Sequence, residues 1–239
     1  MSAFEAPEIK GIVFDLDGTL YVCDRFAAEI QRASTIYIAG VKGITHPEAG
    51  QLIAETRKRL AEESGMVQTI SAVCTELGGS VQELHRFFES TLRPEAYLVR
   101  DERVIRLLER LAEKFSIFIY TNNNRVLTAR IMNYLGVDHV VSGVFTINDT
   151  WRGKPDEEGV KRVLEQIGLS PDETLFVGDR YDVDLRVPEQ LGCPVYLSQT
   201  LEQLLRLEEL LAVTQKDLQV ASNSVSNRLA ETDIQLKHL

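Results

Sequence analysis

Two aspartates separated by a single residue, Asp15 and Asp17, are the first side chains in the sequence whose types and spacing could do chemistry. In an extended turn, residues two apart point the same way, so both carboxylates can face one small volume. Carboxylates held that close repel each other unless a cation or a shared proton intervenes, and Mg²⁺ suits such oxygen ligands. One carboxylate can also attack phosphorus while the other moves a proton. A turn with two helix-capping aspartates explains the pair equally well.

Further polar residues could bind an anion. Gly18 permits a close backbone turn that brings amide N–H groups toward a negative charge. The segment Thr121-Asn122-Asn123-Asn124 follows an apolar run and precedes a helical pattern, which predicts an anion site at a helix N-terminus or, taken alone, an ordinary N-cap. Lys154, before Pro155, offers a compact cation for a phosphoryl group, although an isolated Lys-Pro pair is also typical of a protein surface.

A second acidic segment follows another apolar run. Asp179, Asp182 and Asp184 place three carboxylates within six residues, which is costly unless they bind a cation or a basic side chain. The alternative is a solvated acidic helix start, where negative charge favours the helix dipole. The apolar run before Asp179 argues against this alternative for Asp179, and less so for Asp182.

The elements that must position these residues alternate between strands and helices. Apolar runs at residues 9–14, 115–120, 174–177 and 194–197, with a fainter one at 144–147, predict buried parallel strands. Helical patterns at residues 101–114, 126–135, 156–167, 183–191 and 201–211 follow them. This alternation predicts an open α/β sheet with right-handed crossovers. Because sites in such sheets lie at the carboxyl ends of the strands, we expect the polar residues that end three of the runs to converge.

About a hundred residues separate the first two strands, far more than one crossover requires. Helical patterns at 26–39, 47–63, 67–77 and 81–92 predict that residues 23–95 form a separate all-helical insertion. The capping signals are Thr45-His46-Pro47-Glu48 and Gly78-Gly79-Ser80. The predicted core is therefore residues 1–22 and 96–212, with a tail at 213–239 that is either loosely docked or an oligomer contact.

The bulk properties exclude several classes of function. The net charge of -10 over 239 residues gives no long-range attraction to nucleic acid polymers or anionic membranes, and Arg57-Lys58-Arg59, flanked by glutamates, is interpreted as a solvated helix face. A small anionic substrate is still allowed. Three widely spaced cysteines predict neither a disulfide framework nor a thiolate site, and the four histidines show no ligand spacing. Without a secretory signal or a long apolar stretch, we expect a soluble cytoplasmic protein.

The order of these motifs resembles the haloacid dehalogenase-like hydrolase superfamily. The resemblance covers residues 8–22 and 96–198, with Asp-x-Asp-Gly-Thr, strand-end Thr-Asn, Lys-Pro and Gly-Asp-x-x-x-x-Asp in the family order. It implies a Rossmann-like, doubly wound parallel sheet, and it implies that residues 23–95 are a helical cap domain. The first crossover and the Tyr120-Thr121-Asn122-Asn123 segment faintly resemble pyrimidine 5′-nucleotidases, and phosphoglycolate phosphatase-like members are also similar.

The resemblance also implies roles for particular residues. Asp15 would be the nucleophile and a metal ligand, and Asp17 the general acid and base whose backbone carbonyl binds Mg²⁺. The phosphoryl-binding residues would be Thr121, Asn122 and Lys154. Asp179 would complete the metal site. Asp184 would act through a water or by orienting Lys154, and Asp182 competes with it for this role.

The reaction follows from Asp17. Dehalogenases that resemble this chain do not usually carry an acid there, and a leaving alkoxide needs a proton whereas a halide does not. A phosphonatase would need a Schiff-base lysine in the cap, and Lys42 and Lys58 have no distinctive context. The expected function is a Mg²⁺-dependent phosphatase acting on a small phosphorylated metabolite. A sugar-phosphate mutase and a non-catalytic binding protein with this fold remain alternatives, and homo-oligomerisation is open.

Overall fold

The computed structural model describes residues 8–212. The predicted C-terminal tail at 213–239 and the first seven residues of the predicted core lie outside this range. Within it, the order of strands and helices follows the alternation expected from the sequence.

A five-stranded parallel sheet forms the centre of the molecule. Its strands are β1 (Gly11–Phe14), β2 (Ser116–Tyr120), β3 (Gly143–Phe145), β4 (Thr174–Gly178) and β5 (Val195–Leu197). Their spatial order is β3-β2-β1-β4-β5, so β1 is central and the chain reverses its direction of winding there. A sheet of this kind binds ligands beyond the carboxyl ends of its strands at such a reversal. The prediction of a doubly wound parallel α/β sheet is confirmed.

Helices cover both faces of the sheet because successive side chains of a strand point to opposite sides. Ile12 and Phe14 of β1 pack into one apolar cluster, and Val13 packs into the other. Helices α5 (Glu102–Ala112) and α6 (Arg125–Leu135) pack into the first cluster. Helix α7 (Glu157–Ile167) packs into the second. Helix α5 shows the reason: its buried residues are Val104, Ile105, Leu107, Leu108 and Leu111. That spacing forms one apolar stripe on a helix.

The residues between β1 and β2 are helical, as expected. They form α1 (Asp24–Lys42), α2 (His46–Ser64), α3 (Ile70–Glu76) and α4 (Val81–Thr91). The predicted capping signals are confirmed: Thr45 and Glu48 form a capping box at α2, and Ser80 caps α4. The apolar cluster on the Ile12 side of the sheet continues into these helices through Phe26, Ile53 and Leu84.

The helices expected at 67–77 and 183–191 differ from the sequence expectation for identifiable reasons. Residues 67–69 are not helical because the Thr69 side chain accepts a hydrogen bond from the Ala72 backbone and caps α3. The helix expected at 183–191 is instead a π-helical turn, Tyr181–Leu185, followed by α8 (Arg186–Gln190). Pro188 lies inside the expected helix. Since proline has no N–H for the carbonyl of Asp184, four residues earlier, a regular α-helical ladder cannot pass through it.

The C-terminal part of the core lies closer to the sequence expectation. Strand β3 ends at Phe145 because Thr146 and Asp149 form a capping box that starts a 3-10 turn at Ile147. The helix expected at 201–211 is divided by a turn at Arg206, with α9 (Leu201–Leu205) before it. Among residues 8–212, no helix combines the length and the apolar character needed to cross a membrane, and Cys23, Cys74 and Cys193 are free.

Candidate active site

Three polar residues meet at the carboxyl ends of three neighbouring strands. Asp15 follows β1, Thr121 follows β2, and Asp179 follows β4. The backbone N–H of Asp15 donates to the Val177 carbonyl at 2.8 Å, so the hydrogen-bonded ladder continues to the first residue of the site. This convergence is the one predicted from the sequence, and it occurs because parallel strands end at the same edge of a sheet.

Lys154 lies between two buried carboxylates. Its Nζ is 2.5 Å from Oδ1 of Asp15 and 2.6 Å from Oδ1 of Asp184, and it donates to the Tyr120 carbonyl at 2.9 Å. The three charged residues are at most 5% exposed. Burial lowers the pKa of Lys154, but the charges of Asp15 and Asp184 outweigh it and hold that pKa above its usual value. Lys154 is therefore a permanent cation, and the surface alternative for it is wrong.

Asp15, Asp179 and Asp184 form an acidic group that could hold a metal ion. Each offers one carboxylate oxygen, and these oxygens all lie within 4.8 Å of one another. Burial raises the pKa of Asp15 to about 7 and that of Asp179 to about 6. Oδ1 of Asp179 is buried and accepts no hydrogen bond. A buried oxygen without a donor, in a group of hard oxygen ligands that carries more negative charge than Lys154 offsets, fits a divalent cation such as Mg²⁺.

Gly18 lets the first loop approach Asp179. Its φ is 90°, a left-handed conformation that L side chains rarely adopt. A Cβ at this position would lie 2.5 Å from Oδ2 of Asp179. Any larger residue would therefore push apart the loop that carries Asp17 and the end of β4.

Asp17 is held by side chains from two loops. Oδ2 accepts hydrogen bonds from Asn123 Nδ2 at 2.6 Å and from Thr121 Oγ1 at 3.4 Å, and the Tyr21 hydroxyl donates to Oδ1. Burial raises the pKa of Asp17, and the hydrogen bonds from Tyr21 and Thr121 partly oppose this rise. The sequence did not indicate that Tyr21 or Asn123 contacts Asp17. Tyr21 stands four residues after Asp17 and could have been considered, whereas the contact of Asn123 depends on the tertiary structure.

The sequence predicted that Asn122 would bind phosphate, but its side chain contacts the Lys154 backbone. Its Oδ1 accepts from the Lys154 backbone N–H at 2.7 Å, and its Nδ2 reaches the Lys154 carbonyl at 3.5 Å. The side chain amide therefore fixes the backbone of the lysine. The backbone N–H of Asn122 is a further donor that could contact an anion.

Asp182 and Asp184 have clearly different environments in the fold. Asp184 is 4% exposed and contacts Lys154, and its Oδ2 accepts from the Arg180 backbone N–H at 3.1 Å. Asp182 is half-buried and lies outside the acidic group. The π-helical turn places Asp184 inward, so Asp184, and not Asp182, contacts Lys154 and belongs to the acidic group.

The helical insertion reaches the site through α4. Asn124 caps α6 by accepting from the Leu127 N–H at 2.8 Å, and its Nδ2 donates to the His85 carbonyl at 3.1 Å. The His85 ring is buried, lies 3.3 Å from Ser71 Oγ and packs near Trp151, with 6.5 Å between ring centroids. Burial lowers the pKa of His85 to about 4. His85 is therefore a neutral packing residue where insertion and sheet meet.

Fold and site together define an α/β protein whose strand-end aspartates surround a buried lysine. The sequence model of the haloacid dehalogenase-like hydrolases matches residues 9–192, most of the chain. The chain belongs to this family, and it is a hydrolase of that type. The prediction of the family, and of an enzyme of this class, is confirmed.

The chain is similar to named phosphatases in sequence, and it shares its fold with a solved structure. The chain is 27% identical over 193 residues to a glyceraldehyde 3-phosphate phosphatase from Methanocaldococcus jannaschii, covering 77% of this chain and 82% of the relative. It is 27% identical over 191 residues to a phosphoglycolate phosphatase from Photorhabdus laumondii subsp. laumondii, covering 78% of each chain. A 2-haloacid dehalogenase from Pseudomonas syringae pv. Tomato shares the fold with a TM-score of 0.56, at 20% identity and with 85% and 98% of the two chains covered.

Proposed function

We propose that this chain is a Mg²⁺-dependent phosphatase that hydrolyses a phosphomonoester of a small metabolite through an aspartyl-phosphate on Asp15. The observation that carries the proposal is the buried Lys154, which lies 2.5 Å from Asp15 and 2.6 Å from Asp184 beside a third carboxylate. A buried cation next to a carboxylate nucleophile offsets the charge of an incoming phosphoryl group. In this proposal residues 23–95 are the cap domain of a core formed by residues 1–22 and 96–212.

Each reacting group has a defined task. An Asp15 oxygen forms the bond to phosphorus while the bond from phosphorus to the ester oxygen breaks, and protonated Asp17 gives its proton to the leaving alkoxide. Asp17 then accepts a proton from water, which attacks the aspartyl-phosphate, restores Asp15 and releases inorganic phosphate. Tyr21 and Asn123 orient Asp17 for both proton transfers.

The phosphoryl group needs positive charge and hydrogen-bond donors. Lys154 supplies the charge, and the Thr121 hydroxyl and the backbone N–H of Asn122 are the proposed donors. Asp15, Asp179 and the Asp17 carbonyl would hold Mg²⁺, with Asp184 supporting the site. When bound, the ion neutralises phosphoryl charge and reduces the repulsion between the phosphate and the carboxylates.

The relatives support the substrate class. Glyceraldehyde 3-phosphate and phosphoglycolate, in the names of two relatives, are small phosphorylated metabolites. The hydrogen-bonded Asp17 supports ester hydrolysis over dehalogenation, because a halide leaves without a proton. Family membership counts against a non-catalytic binding protein. A mutase would return the phosphoryl group to a sugar, so release of inorganic phosphate distinguishes it from the proposed phosphatase.

The test is hydrolysis of p-nitrophenyl phosphate by the purified protein with and without Mg²⁺. We expect turnover with Mg²⁺, its loss on chelation, and its recovery when Mg²⁺ is added in excess of the chelator. A screen of sugar phosphates, nucleotides and small phosphorylated acids, read as inorganic phosphate, follows. Folded protein that releases no phosphate from any of these esters would contradict the proposed function.

Asp184→Asn and Asp182→Asn form a matched pair, two residues apart, that tests the site. Asp184→Asn removes one of the two carboxylates that contact Lys154, so we expect kcat/KM to fall about 10- to 100-fold. Asp182→Asn is expected to stay within about twofold of wild type, since Asp182 lies outside the acidic group. Steady-state kinetics checks both variants. An equal loss in the two would contradict the assignment of Asp184.

A further inference from the structure

The aromatic ring of Tyr120 lies beside the buried ammonium of Lys154. Nζ of Lys154 is 5.2 Å from the centroid of this ring, and the same nitrogen donates to the Tyr120 carbonyl at 2.9 Å. A cation within about 6 Å of a ring centroid is attracted by the negative face of the ring. Tyr120 is the last residue of β2 and is 8% exposed, so little water weakens this attraction.

The hydroxyl of Tyr120 takes no part in the contact with Lys154. It is buried and has no hydrogen-bond partner among residues 8–212, which is unfavourable for a polar group. Helix α7 leaves room for it with a glycine, because a Cβ at Gly159 would lie 2.4 Å from the hydroxyl oxygen. What Tyr120 offers to Lys154 is therefore its ring and its carbonyl.

A ring can hold a cation without adding negative charge to the site. The other partners of the Lys154 ammonium are the carboxylates of Asp15 and Asp184, and a further carboxylate beside it would repel an incoming phosphoryl group. In the proposed reaction an Asp15 oxygen becomes bonded to phosphorus, which weakens one of these two ion pairs. The ring and the carbonyl of Tyr120 remain available throughout this step.

We infer that Tyr120 is a positioning residue whose ring holds the Lys154 ammonium, through a cation–π contact, where the phosphoryl group binds. The catalytic part of this inference rests on the proposed phosphatase function, whereas the contact itself belongs to the folded chain. The ring also packs in the apolar cluster that contains Val13 and Phe145. An aliphatic side chain of similar volume could fill this space, so packing alone does not require a ring.

The test is a series of fluorinated phenylalanines with one, two and three fluorine atoms, introduced at position 120 by stop-codon suppression. Fluorine withdraws electron density from the ring face and changes the size of the ring little. Tyr120→Phe is the reference, since the hydroxyl has no partner. We expect kcat for p-nitrophenyl phosphate to fall with each fluorine, by about three- to tenfold over the series. A constant kcat along the series would overturn the inference.

The same series at Phe145 is the matched control. Phe145 is the partner of Tyr120 on β3 and is also 8% exposed, but its ring packs against Phe118, with 6.4 Å between centroids. Among residues 8–212, the rings that carry a cation are those of Tyr97 and Tyr120. We expect no graded loss of kcat at Phe145. An equal decline at the two positions would show that fluorine acts on packing, and the inference would fail.

Tyr120→Leu removes the ring and keeps an apolar side chain. We expect its kcat to be about 10- to 30-fold below that of wild type, because a weaker hold lets the ammonium leave the phosphoryl group. Tyr120→Phe restores a ring and is expected to recover most of this loss. Thermal unfolding shows that each variant is folded. Equal kcat values for Tyr120→Leu and Tyr120→Phe would contradict the positioning role.

Stability measurements separate this inference from the proposed function. Lys154 is a permanent cation, so the contact stabilises the folded chain whether or not a phosphate ester is hydrolysed. In chelator at neutral pH, we expect the urea midpoint to fall with each fluorine at position 120, with no such trend at Phe145. If no ester is hydrolysed, this trend still identifies the contact, and the proposed function alone fails. A midpoint that is independent of fluorination at position 120 would overturn the inference.

Discussion

Asp15→Asn is expected to lower kcat for any phosphomonoester that the wild type hydrolyses by at least about 10⁴-fold. An amide oxygen does not form the bond to phosphorus that the carboxylate is proposed to form. The substitution also removes one of the three oxygens of the acidic group. Steady-state kinetics at saturating Mg²⁺ measures the loss. Because a trace of wild-type enzyme would mimic residual activity, the Asp15→Asn protein must be purified free of wild-type enzyme.

The same substitution should leave the protein folded. Burial raises the pKa of Asp15 to about 7, so without a divalent cation its ionisation costs stability as the pH rises from the unfolded value near 4 to the folded value. An uncharged asparagine removes this cost, and Lys154 keeps its contact with Asp184. We expect the free energy of unfolding of Asp15→Asn in chelator at pH 8 to equal or exceed that of wild type. A large fall in stability would mean that lost activity does not report on the nucleophile.

Lys154→Met is expected to have the largest effect on stability. Lys154 is 3% exposed and lies between two carboxylates that are both buried. Removing one partner from a buried ionic group typically costs about 3–5 kcal/mol. We expect a loss of that size in the free energy of unfolding at neutral pH, measured by urea denaturation. Activity should fall about 10²- to 10³-fold in protein that remains folded, since the phosphoryl group loses its cation.

The pH dependence of this loss identifies its cause. Without Lys154, the folded pKa of Asp15 rises further above its unfolded value, so the folded state binds more protons than the unfolded state. The deficit of Lys154→Met relative to wild type should therefore shrink as the pH is lowered from 8 to 5. Lys161→Met is the control, because Lys161 is exposed and pairs with Glu157 on the surface. A deficit that is independent of pH would indicate lost packing instead of unpaired carboxylates.

Much of the fold could be predicted because it depends on local patterns. The apolar runs at β1, β2 and β4 are short and bounded by polar residues, and the stripe of α5 repeats with helical spacing. The capping signals at Thr45 and Ser80 act over three residues, so the sequence shows them directly. Two of the boundaries that were wrong, at Thr69 and Pro188, lie where a side chain competed with the backbone pattern.

The site was predictable to the extent that it depends on strand ends. Asp15, Thr121 and Asp179 meet because their strands are parallel neighbours, and parallel strands follow from the strand and helix alternation. The catalytic roles of these residues remain predictions. The orientation of Asn122 toward the Lys154 backbone was not foreseeable, since both groups are in loops whose relative position no local pattern determines.

By itself, the sequence determined which residue types stand at the ends of buried strands, and it therefore favoured a site over a capping turn for Asp15 and Asp17. The tertiary structure alone decided which side chains touch them: Lys154 between Asp15 and Asp184, with Tyr21 and Asn123 on Asp17. It also decided that Arg57 is half-buried, whereas Lys58 and Arg59 are exposed. The physical reason is that periodicity and capping act over a few residues, whereas ion pairing and burial depend on groups far apart in the chain.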